Sequence, residues 1–149
     1  MKFRSIVVIV ALIVLASFST MQQKQRVVFF GDSITQAAVN PKGYITVMGD
    51  MLKQKGLADK YELIGAGISG NKVYDLYLRI EEDVLAKNPN VVFIYIGVND
   101  VWHKRSSGTG THPDKFEKFY YAIIKKLKDK KIEVILCTMA TIGERTDYS

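Results

Sequence analysis

The sequence predicts an α/β fold, a doubly wound parallel sheet with helices on both faces. Two observations carry that expectation. Four short runs, Val27–Phe30, Tyr61–Ile64, Val91–Ile96 and Ile132–Cys137, are rich in Val, Ile, Phe and Tyr and show no polar alternation. Strands covered on both faces read this way. Between the runs, apolar residues recur at helical spacing: Tyr44, Val47, Met48, Met51 and Leu52, then Val73, Leu76, Tyr77, Ile80 and Val84, then Phe116, Phe119, Tyr120, Ile123, Ile124 and Leu127. Strand followed by helix, three times over, is the pattern of a sheet covered by its own crossovers.

In chain order, residues 1–19 come first. They open with Lys2 and Arg4, continue in an apolar run from Ile6 through Leu15 to Phe18, and place the small residues Ser17 and Ser19 ahead of Thr20. That is the pattern of a signal peptide cleaved before Thr20. The alternative is an uncleaved anchor, for which the run falls short of the roughly 18–20 residues of a spanning helix. The chain is therefore expected to be exported to the periplasm or beyond, with no stable membrane insertion after cleavage. Residues 20–25 read as a polar linker and 26–149 as one domain. Within that domain, Asn88-Pro89-Asn90 breaks the second helix from the third strand.

Composition removes several function classes. One cysteine in 149 residues excludes an internal disulfide framework, and with two histidines it offers no thiolate zinc cluster. The net charge of +6 is mild, and the signal segment carries two of the cations away. The densest basic run, Lys125, Lys126, Lys128, Lys130 and Lys131, falls on the polar side and C-terminus of the third helix, where cations suit the helix dipole. It reads as a solvated face, and no nucleic-acid partner is expected. Cys137, closing an apolar strand, reads as a buried small hydrophobe.

In an open α/β sheet, ligands bind beyond the carboxyl ends of the strands. Those ends carry Gly31-Asp32-Ser33-Ile34-Thr35, Gly65-Ala66-Gly67-Ile68-Ser69-Gly70-Asn71 and Gly97-Val98-Asn99-Asp100. Acyl transfer needs a hydroxyl nucleophile and donors converging on one developing oxyanion. Ser33 supplies the hydroxyl; the Ser33 N–H, the Gly70 N–H and the Asn99 amide could supply the donors. The architectural alternative makes the glycines tight turns and Ser33 and Asn99 helix caps. It has to be invoked at three consecutive strand ends.

GDSIT, GISGN and GVND, in that order, resemble the first three motif blocks of the SGNH (GDSL-type) hydrolases, over roughly Arg26 to Gly143. The resemblance implies a flavodoxin-like three-layer α/β/α sandwich. It implies a serine esterase or acylhydrolase cleaving small acyl esters, acetyl above all and often on carbohydrates, without metal or organic cofactor. Ser33 would be the nucleophile; Ser33 N–H, Gly70 and Asn99 would form the oxyanion hole, with Asp32 fixing the turn. The family's fourth signature is an Asp-x-x-His that supplies the base and the carboxylate orienting it. No such pair is expected in the printed chain, and a last strand and helix are missing with it, so the 149 residues alone are expected to be inactive, and poorly soluble or oligomeric from an unpaired edge.

Other readings of the same residues stay open. Asp100-Val101-Trp102-His103 spells Asp-x-x-His, but Asp100 belongs to the third block, and His103 reads as a loop residue near the cleft mouth. His112 reads as an exposed loop residue, with Asp114 capping the next helix. Gly65-x-Gly67-x-x-Gly70 matches a dinucleotide-binding fingerprint, yet the acidic residue expected about 20 positions on is missing. A catalytically dead ester- or glycan-binding protein would keep the donors and lack the base.

Overall fold

A computed structural model describes residues 23–139; residues 1–19, expected to be a signal peptide, lie outside the described residues. Strand β1 (Gln25–Gly31) is followed by a five-residue helix α1 (Ser33–Ala37) and by α2 (Tyr44–Gln54). Then come β2 (Tyr61–Gly67), α3 (Val73–Asp83), a 3₁₀ turn at Leu85–Lys87, and β3 (Val91–Tyr95). Helices α4 (Val98–Ser106) and α5 (Pro113–Asp129) and strand β4 (Glu133–Leu136) complete the described chain. The polar linker ends one residue earlier than its composition implies, because Gln25 already pairs with Tyr61.

The four strands are all parallel, in the order β2-β1-β3-β4. The α/β class read from the sequence is the fold of the chain. β1 and β3 are central and their inward residues are fully enclosed: Val28, Phe30, Val92 and Ile94 expose nothing. They pack under α3 and α5, whose Val73, Leu76, Ile80, Ile123 and Leu127 are equally buried. The opposite face holds a smaller cluster, Val27, Phe29, Ala38 and Ile45, beneath α2. Phe29 and Phe93 stack there, centroids 4.9 Å apart.

Two elements have no counterpart in the apolar periodicity. The first is α1, a single turn. The second is α4, whose buried residues are polar (Asn99 and Asp100) while Val101 and Trp102 face solvent. Among the described residues no helix is long and apolar enough to cross a membrane.

Candidate active site

The register brings the three motif-bearing strand ends level. Gly31 pairs with Gly67 on one side and with Tyr95 on the other. The segments that follow, 32–33, 68–72 and 97–99, therefore leave the same edge of the sheet side by side. They are the segments carrying Ser33, Gly70 and Asn99.

Ser33 opens α1 and is half-buried. Its side chain is not the cap of that helix; Asp32 holds the cap position and accepts from the Ile34 N–H at 3.0 Å. Asp32 is almost wholly enclosed, and burial pushes its carboxyl above the ordinary carboxylate range, against the hydrogen bonds from the Ile34 and Asp32 N–H groups. Thr35, in the same turn, is fully buried and accepts from the Tyr44 hydroxyl at 3.0 Å. The nucleophile candidate thus stands on a turn fixed on both sides. β2 closes behind it: a Cβ on Gly67 would fall 2.1 Å from the Gln36 nitrogen and 2.7 Å from the Asp32 oxygen. Only glycine permits that approach.

Gly70 adopts φ +77°, the left-handed region that glycine enters without cost, and among the described residues no atom beyond its chain neighbours lies within 4 Å of where its Cβ would be. Its surroundings are open to a ligand. Asn99 is the second residue of α4 and is buried. Its Nδ2 donates to the Asn71 carbonyl at 3.0 Å. That bond fixes which end of the amide is nitrogen, and it occupies one of the two N–H groups. The other remains to be offered.

Around these three groups the structure assembles residues that the motif reading passed over. Asp100, enclosed like Asn99, accepts from the Val73 N–H at 3.2 Å through both oxygens, tying the start of α3 to α4. Burial raises its pKa, opposed by the Thr111 side chain, the Val73 N–H and the nearby charge of Lys72. Lys72 is buried too; its Nζ donates to the Gly70 carbonyl at 3.3 Å and stands 3.9 Å from Asp75. Asp75, in the first turn of α3, reaches back to the Lys72 N–H at 2.8 Å. Arg79 reaches from α3 to the ends of β1 and β2.

The histidines lie elsewhere. His103 is on α4, and the Asp100 carboxylate of the apparent Asp-x-x-His is engaged with Val73, on the neighbouring helix. His112 is exposed and pairs with Asp114. It is His112 that occupies the cap position of α5; Asp114 sits inside the first turn, where a carboxylate suits the dipole. Cys137 is only partly enclosed, and desolvation raises its pKa. The third glycine of the GxGxxG match, Gly70, lies in a loop and opens no helix, since α3 begins at Val73.

A parallel α/β sheet with Ser33, Gly70 and Asn99 at one carboxyl edge is the architecture of an SGNH-type hydrolase. The chain belongs to the GDSL-like lipase/acylhydrolase family, whose model matches residues 29–149. A solved acetyl xylan esterase, AlAXEase, superposes with a TM-score of 0.79 at 66% identity, over 83% of this chain and 63% of that one. A catalytic mutant of an acetylxylan esterase from Geobacillus stearothermophilus superposes with a TM-score of 0.70 at 29% identity, over 80% of this chain and 62% of its own. A curated acetylxylan esterase from the same organism is 36% identical over 91 residues, 54% of this chain and 42% of the relative. The chain thus spans less than two thirds of the length of the relatives it matches.

Proposed function

We propose that this chain carries the nucleophile and oxyanion hole of an exported serine esterase that removes acetyl groups from carbohydrates. The observation that supports it most is the level register of Gly31, Gly67 and Tyr95, which sets Ser33, Gly70 and Asn99 on one edge. In this reading the Ser33 Oγ attacks the acyl carbon while a base takes its proton. The Ser33 N–H, the Gly70 N–H and the second Nδ2 hydrogen of Asn99 receive the developing oxyanion. The proton then passes to the departing sugar oxygen, and water resolves the acyl-enzyme to acetate and free Ser33.

The base is assigned to a histidine of an Asp-x-x-His segment in the additional length by which the relatives exceed this chain. His103 is not assigned the role, because the Asp100 carboxylate is engaged with Val73 at the start of α3, and His112 is not, because it is exposed at the start of α5. The acetyl-carbohydrate substrate is supported by the acetylxylan esterases described above, and export by the N-terminal charge and apolar pattern.

The test is active-site titration of the complete protein with an alkyl fluorophosphonate, followed by peptide mapping. Stoichiometric labelling at Ser33, with acetate released from acetylated xylo-oligosaccharide, is the expected result. Binding of the oligosaccharide without labelling would identify a non-catalytic binder instead.

A further inference from the structure

We propose that Arg79 is a positioning residue for this site, locking the nucleophile's strand to the loop that carries the Gly70 donor; the inference rests on the esterase reading above. The guanidinium uses four of its five N–H groups, each in a different direction. Nη2 donates to the Gly31 carbonyl at 2.8 Å, immediately before Asp32 and Ser33, and to the Ala66 carbonyl at 3.0 Å. Nε donates to Asn71 Oδ1 at 2.7 Å. Nη1 pairs with Asp83 at 2.6 Å, one turn further along α3, which neutralises the charge beneath the site. The plane lies over Phe30, 4.6 Å from the ring centroid.

The geometry separates this role from ordinary packing. Ladder bonds hold β1 to β2 only as far as Gly31 and Gly67. Beyond the bond from the Ile68 N–H to the Gly31 carbonyl, side chains tie the loop to its neighbours, and Asn71 is where two of those meet. Its side chain takes Arg79, and its carbonyl takes the Asn99 amide. Gly31, Arg79, Asn71 and Asn99 form one continuous chain of contacts from the nucleophile's strand to an oxyanion donor. A shift of Asn71 therefore turns the Asn99 amide as well as Gly70. Misplacing a catalytic group by about 1 Å can cost on the order of 10²-fold in rate. A lysine ammonium is a compact point charge, and it cannot reproduce a planar fork that serves two strand ends, a loop amide and a carboxylate together.

The experiment measures kcat and KM on an aryl acetate, per fluorophosphonate-titrated Ser33, for the complete protein and two variants. Arg79→Lys is expected to lower kcat about 10- to 100-fold with KM within threefold, because oxyanion alignment is felt in the transition state. Asn71→Ala, which cuts only the loop side of the chain of contacts, is expected to lower kcat about three- to tenfold. The double variant should be no more than about twofold worse than Arg79→Lys, since both changes break one path. If Arg79→Lys fails to fold, Asn71→Ala decides alone: a reduced kcat with KM unchanged supports the role, and wild-type kcat overturns it. A lower melting temperature with kcat per titrated site within twofold of wild type also overturns it. Failure of the wild-type protein to label at Ser33 overturns the esterase reading and the role together, whereas a labelled wild type with unaffected variants removes only the role of Arg79.

Discussion

The loop between β2 and α3 and the helix α4 bring the two proposed oxyanion donors to the same edge, yet they are built in opposite ways. Residues 68–72 are short, carry no regular structure, and are tied down at nearly every position. The Ile68 N–H bonds Gly31, the Ser69 N–H bonds Gln36, and Asn71 takes Asn99 and Arg79. The Lys72 N–H, in turn, bonds Asp75. Helix α4 is regular, and among the described residues its buried side chains lie on one side. Asn99 and Asp100 face inward, while Val101 and Trp102 are 53% and 58% exposed. A loop that presents a backbone donor has to borrow rigidity from side chains around it. A helix supplies its own, and its outer face is left free.

The largest effect should come from Asn99, the oxyanion donor proposed on α4. If the complete protein is the proposed esterase, Asn99→Ala is expected to lower its kcat by about 10²–10³-fold, the usual loss for one oxyanion donor, with KM nearly unchanged. It also releases the Asn71 carbonyl, so the tied loop and the helix are tested together. A loss under about threefold, measured with acetylated oligosaccharide, would remove Asn99 from the site.

Gly70→Ala asks whether the loop's conformation matters as much as its ties. Open space surrounds the missing Cβ, so no clash arises. The cost is conformational: holding alanine at φ +77° takes about 1–2 kcal/mol. Relaxation of that strain would swing the N–H away, and a roughly 5- to 30-fold fall in kcat is expected. Wild-type kcat with a lowered melting temperature would show that the Gly70 N–H does not touch the transition state.

The same contrast explains what could be read from the residues alone. β1 and β3 were legible because both of their faces are covered, which leaves uninterrupted apolar runs. Helices α2, α3 and α5 were legible because each has one apolar stripe. α4 reverses that rule, polar inside and apolar outside, so a search for a buried apolar stripe passes over it. Ser33, Gly70 and Asn99 were singled out through ordered motifs at strand ends. Arg79 was not, because its main partners are carbonyls 48 and 13 positions away, and backbone oxygens carry no residue-specific signal. Its pairing with Asp83 at four-residue spacing was visible, but that spacing also describes any solvated helix pair. Asp100 was visible as part of a motif, and its bond to Val73 emerges only when α3 and α4 pack.

Asp100 gives the comparison a pH dependence. Its native pKa is raised by burial above the ordinary aspartate value. Between that value and the raised one, the folded state holds a proton that the unfolded state has lost, so this group makes stability fall as pH rises through the window. Asp100→Asn cannot ionise, retains one acceptor for Val73, and loses the other. The stability difference, variant minus wild type, should therefore shift in the variant's favour as pH increases from 4 upward, on top of a constant offset from the lost acceptor. Urea unfolding at a series of pH values checks this. A flat difference would mean that the carboxylate ionises as easily in the folded protein as in the unfolded chain.

The smallest effect on stability belongs to the free face. Trp102 and Val101 contribute nothing to either buried cluster, and substitutions of that kind usually stay within about 0.5 kcal/mol. Trp102→Ala is expected to leave the unfolding midpoint in urea almost unchanged, in direct contrast to truncation of a fully buried neighbour in sequence such as Ile94, where about 2–5 kcal/mol is expected. A large loss at Trp102 would mean that α4 is anchored along its outer face after all, and the distinction between a tied loop and a one-sided helix would fail at the point where it is simplest to measure.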